Sequence, residues 1–474
     1  MSIGVLCAVR GAGESAVVTA LDASGRRVTV ERRCADLAEV LAAAGAGVGS
    51  VAIVSADLPH LDREAVAQLH AARVRVLALA PTSGEHGRRM EALGVDVVLD
   101  AAVDAARLVE AVVGLAQAPE LERAAVDDVV GPWGVVQRED VEAEPGPPAG
   151  PPGHVVAVWG PTGAPGRTTL AVNLAAELAA LAARPVPLGA DALLGGRPGD
   201  DDADVRAAAT GPRGALLVDA DSYGGAVAQV VGLLDETPAL AAAARAAGQG
   251  ALDLMGLARL TPLLTPDLRV LTGIARPDRW PELPASSLEV VWGLARQLSA
   301  WTVIDCGFCL EQDEVLSYDT RAPRRNAATL SALEAADVVV VVGNGDPVGV
   351  QRLVRGLGEL DGVGVPVTAR RVVVVNRVRA SAAGPRPGEA ISRSLARFAG
   401  VDAPLLVPDD RVGVDAALLQ GATLREASPG SPARAAIVDI AQTLVGLLGK
   451  RPSASASASA SASARRAVRL GARA

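Results

Sequence analysis

The chain has 474 residues, half of them hydrophobic and 21% charged, with a net charge of −9. That length exceeds one typical core and predicts two or three domains. The acidic balance speaks against a surface built to wrap nucleic acid, and four cysteines are too few for a disulfide framework, so a reducing cytoplasm is expected. Aromatic residues make up 2%, so the cores must be built from Val, Leu and Ala. The start MSIGVLCAVRGAGESA lacks the basic opening and long apolar run of a signal peptide, and no apolar stretch reaches membrane-spanning length, so any membrane contact is expected to be peripheral.

Residues 1–117 alternate short apolar runs with helical patterns. Strands are predicted at 3–8, 28–30, 51–55, 74–80 and 95–99, with helices between and after them. That alternation implies a parallel sheet covered on both faces. Residues 118–153 lose all periodicity, and the stretch EAEPGPPAGPPGH reads as a semi-rigid linker. Residues 154–449 resume the alternation, with strands predicted at 155–159, 215–218, 268–271, 302–304, 338–342, 372–375 and 405–407. These runs are short, continuous and mostly β-branched, as strands buried on both faces are. The acidic stretch 195–204 reads as a mobile insertion, and residues 450–474, a Ser-Ala repeat with a basic tail, as disordered. The fold class is therefore α/β in both domains.

The sharpest signal is VVAVWGPTGAPGRTTLAVNLAAELAAL, residues 155–181. A buried strand runs into a Gly/Pro-rich turn, and a helix opens near Thr168 with Leu170, Leu174, Leu178 and Leu181 on one face. This is the strand–loop–helix setting of a phosphate loop, whose backbone N–H groups cradle phosphates. Thr168 is placed to put its hydroxyl on Mg²⁺. Against the pattern G-x-x-x-x-G-K-[ST], Pro161 takes the first Gly position with Gly160 just before it. Gly166 and Thr168 fit, and Arg167 stands where Lys is expected. Arg keeps the charge but is longer, planar and forked, which puts efficient hydrolysis in doubt.

Two further strands end in carboxylates. GALLVDADSYGG carries Asp219 and Asp221, and WTVIDCG carries Asp305. Each alone could be a turn or helix-capping residue. Three at the carboxyl ends of parallel strands, beside a phosphate loop, are where metal and attacking water are organised.

With these motifs in place, residues 154–445 resemble the MinD/ParA family of P-loop ATPases. GPTGAPGRTT is similar to the family's variant Walker A loop, DADSYGG to switch I and Asp305 to the Walker B acid. The resemblance implies ATP and Mg²⁺ as cofactors. It implies Gly160, Thr162, Gly163, Gly166, Arg167, Thr168 and Thr169 around the phosphates, and Thr168, Asp219 and Asp305 around the metal. Asp221 takes the position that handles the attacking water, with Arg167 and Asp305 as its catalytic partners. VVVVNRV puts Asn376 where the family contacts adenine, and LLVPDD puts Pro408 and Asp409 near the base. Two departures stand out. Thr162 replaces the family's signature Lys, which reaches the partner's nucleotide across a dimer, and Asp305-Cys306-Gly307 replaces the usual D-x-P. With Arg167, these mark a divergent member that binds ATP and hydrolyses it slowly or not at all. A homodimer is implied, less firmly than in the family at large.

The front domain resembles a response-regulator receiver through SVAIVSADLPHLD, RVRVLALAPT and GVDVVLDAA. On that match Ser55 takes the phospho-acceptor position, Ala80 that of the fourth-strand Thr/Ser, and Ala101 that of the fifth-strand Lys. The acidic pair is absent from CAVRG. Without those groups no phosphoryl chemistry is expected. A degenerate receiver ahead of a divergent MinD-like domain is the arrangement of the CpaE/TadZ group. This implies a protein that marks a cellular site for pilus or septum machinery, with those assembly proteins as partners. The alternative is a ParA-like partition ATPase that rides DNA, for which the acidic balance and missing Lys are unfavourable.

Weaker signals read blandly. Cys306 and Cys309 form a CxxC, but no second pair accompanies it, and apolar packing is expected. Arg370, Arg371, Arg377 and Arg379 flank a buried strand. The tail arginines, with Val468 and Leu470 as small anchors, are expected to stay solvated.

Overall fold

The computed structural model describes residues 2–11, 13–81, 85–117, 151–164, 166–183, 212–233, 238–312, 323–363 and 369–448. The expected linker up to residue 150, the acidic insertion and the Ser-Ala tail lie outside them.

The first unit runs β1 (Ile3–Ala8), α1 (Gly13–Asp22), β2 (Val28–Arg33), α2 (Leu37–Gly45), β3 (Val51–Ser55), α3 (Arg63–Ala71), β4 (Arg75–Ala80), α4 (Glu85–Ala92), β5 (Val97–Asp100) and α5 (Ala105–Gln117). All strands are parallel, in the order β2-β1-β3-β4-β5. This is the flavodoxin-like doubly wound order. Alternation along the strands splits the core in two. Leu6, Val54 and Val76 meet helices α2 to α4 on one face, and Val5, Ile53 and Leu77 meet α1 and α5 on the other. Asp36 and Asp62 start α2 and α3 by accepting the N–H of Glu39 and Ala65.

The larger unit has eight strands: β6 (His154–Trp159), β7 (Ala215–Ala220), β8 (Leu263–Thr265), β9 (Leu268–Leu271), β10 (Trp301–Cys306), β11 (Val338–Asn344), β12 (Arg370–Val378) and β13 (Leu405–Pro408). Their order is β13-β12-β11-β6-β10-β7-β9-β8, parallel except for the short edge strand β8, which runs antiparallel to β9. The composition did not reveal β8, because three residues carry too little periodicity to read.

Helix α6 (Arg167–Ala182) follows β6 and is buried from Leu170 to Ala179 nearly all round, not on one stripe. The C-terminal helix Pro432–Leu448 covers its outer side with Ile437 and Leu444. Two buried polar groups on α6 bind the same region. Asn173 accepts the N–H of Leu424 at 2.6 Å, and Glu177 receives Arg425 at 2.9 Å and Arg434 at 2.7 Å. A carboxylate this deep is tolerable because both oxygens are charge-paired.

The two units touch through α3 and α4. Arg63 donates to the carbonyl of Ser286 at 2.7 Å, Ser286 donates its hydroxyl to Glu64 at 2.5 Å, and Arg89 donates to the carbonyl of Gln249 at 3.2 Å. No helix among the described residues is long and apolar enough to cross a membrane.

Candidate nucleotide site

Strand β6 lies between β11 and β10, where the winding of the large sheet reverses, and its carboxyl end feeds the loop of residues 160–166. Crevices at such reversals are where open α/β sheets bind ligands. The loop closes on Gly166, left-handed at φ +89°, which caps α6. The first N–H groups of α6 have no partner within the helix and face this crevice with the positive end of its dipole.

Two glycines of the loop hold a left-handed backbone that other residues rarely adopt. Gly163 has φ +75°, and a Cβ there would collide with the Arg352 guanidinium. A Cβ on Gly166 would collide with the side-chain amide of Asn376. The guanidinium of Arg352 also donates to the carbonyl of Thr162 at 3.4 Å.

Parallel pairing sets the acidic residues side by side. Asp305 pairs with Asp219 across β10 and β7, and with Val158 across β10 and β6. Their surroundings then differ. Asp219 spends both oxygens on backbone: one accepts the N–H of Asp221 at 3.2 Å, the other that of Val227 at 3.1 Å. Asp221 accepts the N–H groups of Tyr223 at 2.9 Å and Gly224 at 3.2 Å, and meets Arg167 at 3.4 Å. Asp305 is buried and neither of its oxygens has a hydrogen-bond partner. The Thr168 hydroxyl lies near enough to favour its charged form but outside hydrogen-bonding geometry.

Burial pushes the carboxyls of both Asp219 and Asp305 well up; charge repulsion from Asp221 adds to the rise of Asp219, and repulsion from Asp219 and Asp221 to that of Asp305. The backbone N–H groups on Asp219 and the Thr168 and Arg167 groups near Asp305 act in the opposite sense. An orphaned buried carboxylate beside a Thr hydroxyl and a phosphate loop fits Mg²⁺, which takes few protein ligands and completes its shell with water and phosphate oxygens. Among the described residues no group of three or more His, Cys, Asp or Glu is arranged to hold a metal. Both oxygens of Asp219 are taken by N–H groups of the segment that follows β7, whereas those of Asp305 are free of hydrogen bonds.

No family model matches the sequence, and no curated protein matches it. Solved structures do. A ParA family ATPase from Chlorobium tepidum TLS is 16% identical, with TM-score 0.46, over 61% of this chain and 98% of that one. The cell division ATPase MinD of Pyrococcus furiosus is 18% identical, with TM-score 0.43, over 62% and 99%. The septum site-determining MinD of Pyrococcus horikoshii OT3, complexed with Mg-ADP, is 17% identical, with TM-score 0.43, over 62% and 97%. Likenesses this distant say nothing about activity.

Of the residues expected at the site, Gly160, Thr162, Gly163, Gly166, Arg167, Thr168 and Thr169 lie on the loop and the first turn of α6, with Asp219, Asp221 and Asp305 beside them. Asn376 adjoins Gly166 on the loop. Pro408 pairs with Val378, and Asp409 holds Arg377 at 3.5 Å and Arg411 at 3.4 Å. Cys306 is buried in β10, and Cys309 accepts from the Asn326 amide at 3.4 Å; both are free thiols.

Sequence reasoning missed Arg352 and a cluster behind Asp221. Tyr223 donates its hydroxyl to Asn326 at 2.8 Å, packs on Phe308 with ring centroids 4.8 Å apart, and lies under Arg325 at 3.8 Å. Arg325 also donates to the hydroxyl and carbonyl of Ser222. Trp159, at the end of β6, donates to the carbonyl of Phe308 at 3.2 Å. The segments after β6, β7 and β10 are thereby joined. The aromatic scarcity of the chain was the available clue, since Tyr223 and Phe308 stand directly after the two acidic strand ends.

Proposed function

We propose that the large unit is a Mg·ATP-binding switch of the MinD/ParA kind, and that the whole chain positions pilus or septum machinery with slow or absent hydrolysis. One observation carries the nucleotide reading: the unpartnered, buried carboxylate of Asp305 faces Thr168 at the mouth of a glycine-dependent phosphate loop. ATP supplies the phosphates and Mg²⁺ their charge balance. The chain's own residues bind them with α6 N–H groups, the Arg167 guanidinium, the Thr168 hydroxyl and the Asp305 carboxylate. Slow turnover follows from Arg167, which is occupied by Gly160 and Asp221, and from Thr162, which brings no cation to a partner subunit. The CpaE/TadZ-like role, a homodimer and peripheral membrane contact rest on the order of domains and on the resemblance.

The DNA-partition alternative draws on the arginines around β12. Arg371 pairs with Asp361, Arg377 with Asp409, and Arg370 donates to the carbonyl of Leu447, which leaves the organiser reading better supported. Calorimetric titration of the full chain with Mg·ATP tests the proposal. Saturable binding by the native protein and its loss in Arg167→Ala are expected. A native protein that shows no saturable binding heat of either sign would refute it.

A further inference from the structure

The first unit holds a cavity of about 620 Å³ at the carboxyl ends of its strands. In a sheet of this order the winding reverses between β1 and β3, and the crevice beside that point receives ligands. The cavity sits there: Arg10 follows β1, Ser55 ends β3, and Ala101 follows β5. Its volume is that of a small-molecule site.

The floor is apolar. Val9, Val17, Leu79 and Leu108 line it, each at 8% exposure or less. Ser55 is the polar side chain set into that floor, at 8% exposure. Its oxygen accepts the N–H of Arg10 at 3.3 Å, and among the described residues its hydroxyl hydrogen has no acceptor. At the mouth stands the guanidinium of Arg10, 52% exposed, which donates to the carbonyl of Asp57 at 3.3 Å and lies 3.8 Å from the Asp57 carboxylate. Gly13 and Ala105, the first residues of α1 and α5, also line the cavity, and the Asp104 carboxylate caps the start of α5 by accepting the N–H of Arg107 at 2.9 Å.

We propose that this cavity binds a small amphipathic molecule with an apolar body and one carboxylate-type anionic head. The body covers Val9, Val17, Leu79 and Leu108. The head accepts the Ser55 hydroxyl hydrogen and draws Arg10 from Asp57. Asp57 then faces solvent, where 66% of its side chain already lies. This site is separate from the nucleotide loop and stands whether or not that loop binds ATP.

The test uses the full chain and two fluorescent probes: anionic 8-anilinonaphthalene-1-sulfonate and uncharged N-phenyl-1-naphthylamine. Saturable one-to-one binding of both is expected. Arg10→Gln should weaken the anionic dye about tenfold, the size of one charge-assisted hydrogen bond, and leave the uncharged dye unchanged. Ala16→Phe, which fills the mouth from α1, should weaken both. Binding of the anionic dye at native strength in both variants overturns the proposal, as does the absence of saturable binding to the native chain. Equal loss of both dyes in Arg10→Gln overturns the anionic head. If Ala16→Phe fails a circular-dichroism check of folding, the half-exposed Arg10→Gln decides the matter alone.

Discussion

Arg167 ties the phosphate loop to the segment after β7: one guanidinium nitrogen donates to the carbonyl of Gly160 at 2.9 Å and the other reaches Asp221 at 3.4 Å. The planar fork of Arg makes both contacts at once. A lysine has one ammonium group and would have to choose. In the proposed cycle Asp221 handles the attacking water, so a cation that occupies it at rest is a brake. Arg167→Lys is therefore expected to retain Mg·ATP binding and to raise turnover about tenfold, the change that follows from freeing one charge-paired group. Phosphate release under single-turnover conditions reads this, and an unchanged rate would show that the pairing does not limit hydrolysis.

The paired carboxylates make a pH dependence with a definite sign. Burial raises Asp219 to about 7 and Asp305 to about 8, far above the ordinary carboxyl range. The folded chain thus holds these protons more tightly than the unfolded chain does. Their share of stability is complete below the unfolded carboxyl value and is lost as pH rises through the folded values. Without Mg²⁺, melting temperature should fall between pH 6 and 8.5 by this contribution. With Mg²⁺ and nucleotide the fall should flatten, because the cation favours the deprotonated form. Asp305→Asn should melt higher than native at pH 8 without metal and lose the metal response. A metal-free native protein whose melting is level across that range would contradict the assignment.

The clamp on Tyr223 has a cost that can be measured. Its hydroxyl gives one hydrogen bond to Asn326, and its ring lies beneath Arg325. Tyr223→Phe should cost about 1 kcal/mol in chemical denaturation, the value of one such bond. Arg325→Ala removes the cation over the ring and both bonds to Ser222. It should speed hydrogen exchange at the amides of residues 223–225 while leaving exchange in α6 unchanged. Uniform acceleration across the unit would mean that the clamp is a general stabiliser.

Gly163→Ala and Gly166→Ala should act on the loop for a reason independent of nucleotide. Each places a Cβ at positive φ, at about 1–2 kcal/mol, and obliges the Arg352 or Asn376 side chain to shift. Both variants are expected to melt lower than native and to bind Mg·ATP more weakly. Gly293→Ala, which meets no neighbouring atom, serves as the control and should be neutral or stabilising. Native-like melting in Gly163→Ala would show that the loop has another accessible form.

The sequence by itself determined the α/β class, most strand positions, the glycine-rich loop before α6 and the acidic strand ends, because each is a local pattern. Buried parallel strands read as continuous β-branched runs, and a loop that binds phosphate needs glycine at fixed spacing. Tertiary structure alone decided how the three carboxylates are hydrogen-bonded. Asp219 and Asp305 look alike in the chain, yet strand pairing and the turn at Gly225 satisfy the first and leave the second bare. Arg352 was equally illegible, since it comes to Thr162 from a helix 190 residues away along the chain. The cavity lined by Ser55 follows the same logic: its lining residues are scattered from Val9 to Leu108 along the chain, and only the packing of α1 and α5 over the sheet brings them around one space. Local patterns fix elements, whereas burial and pairing between distant segments fix what each side chain is free to do.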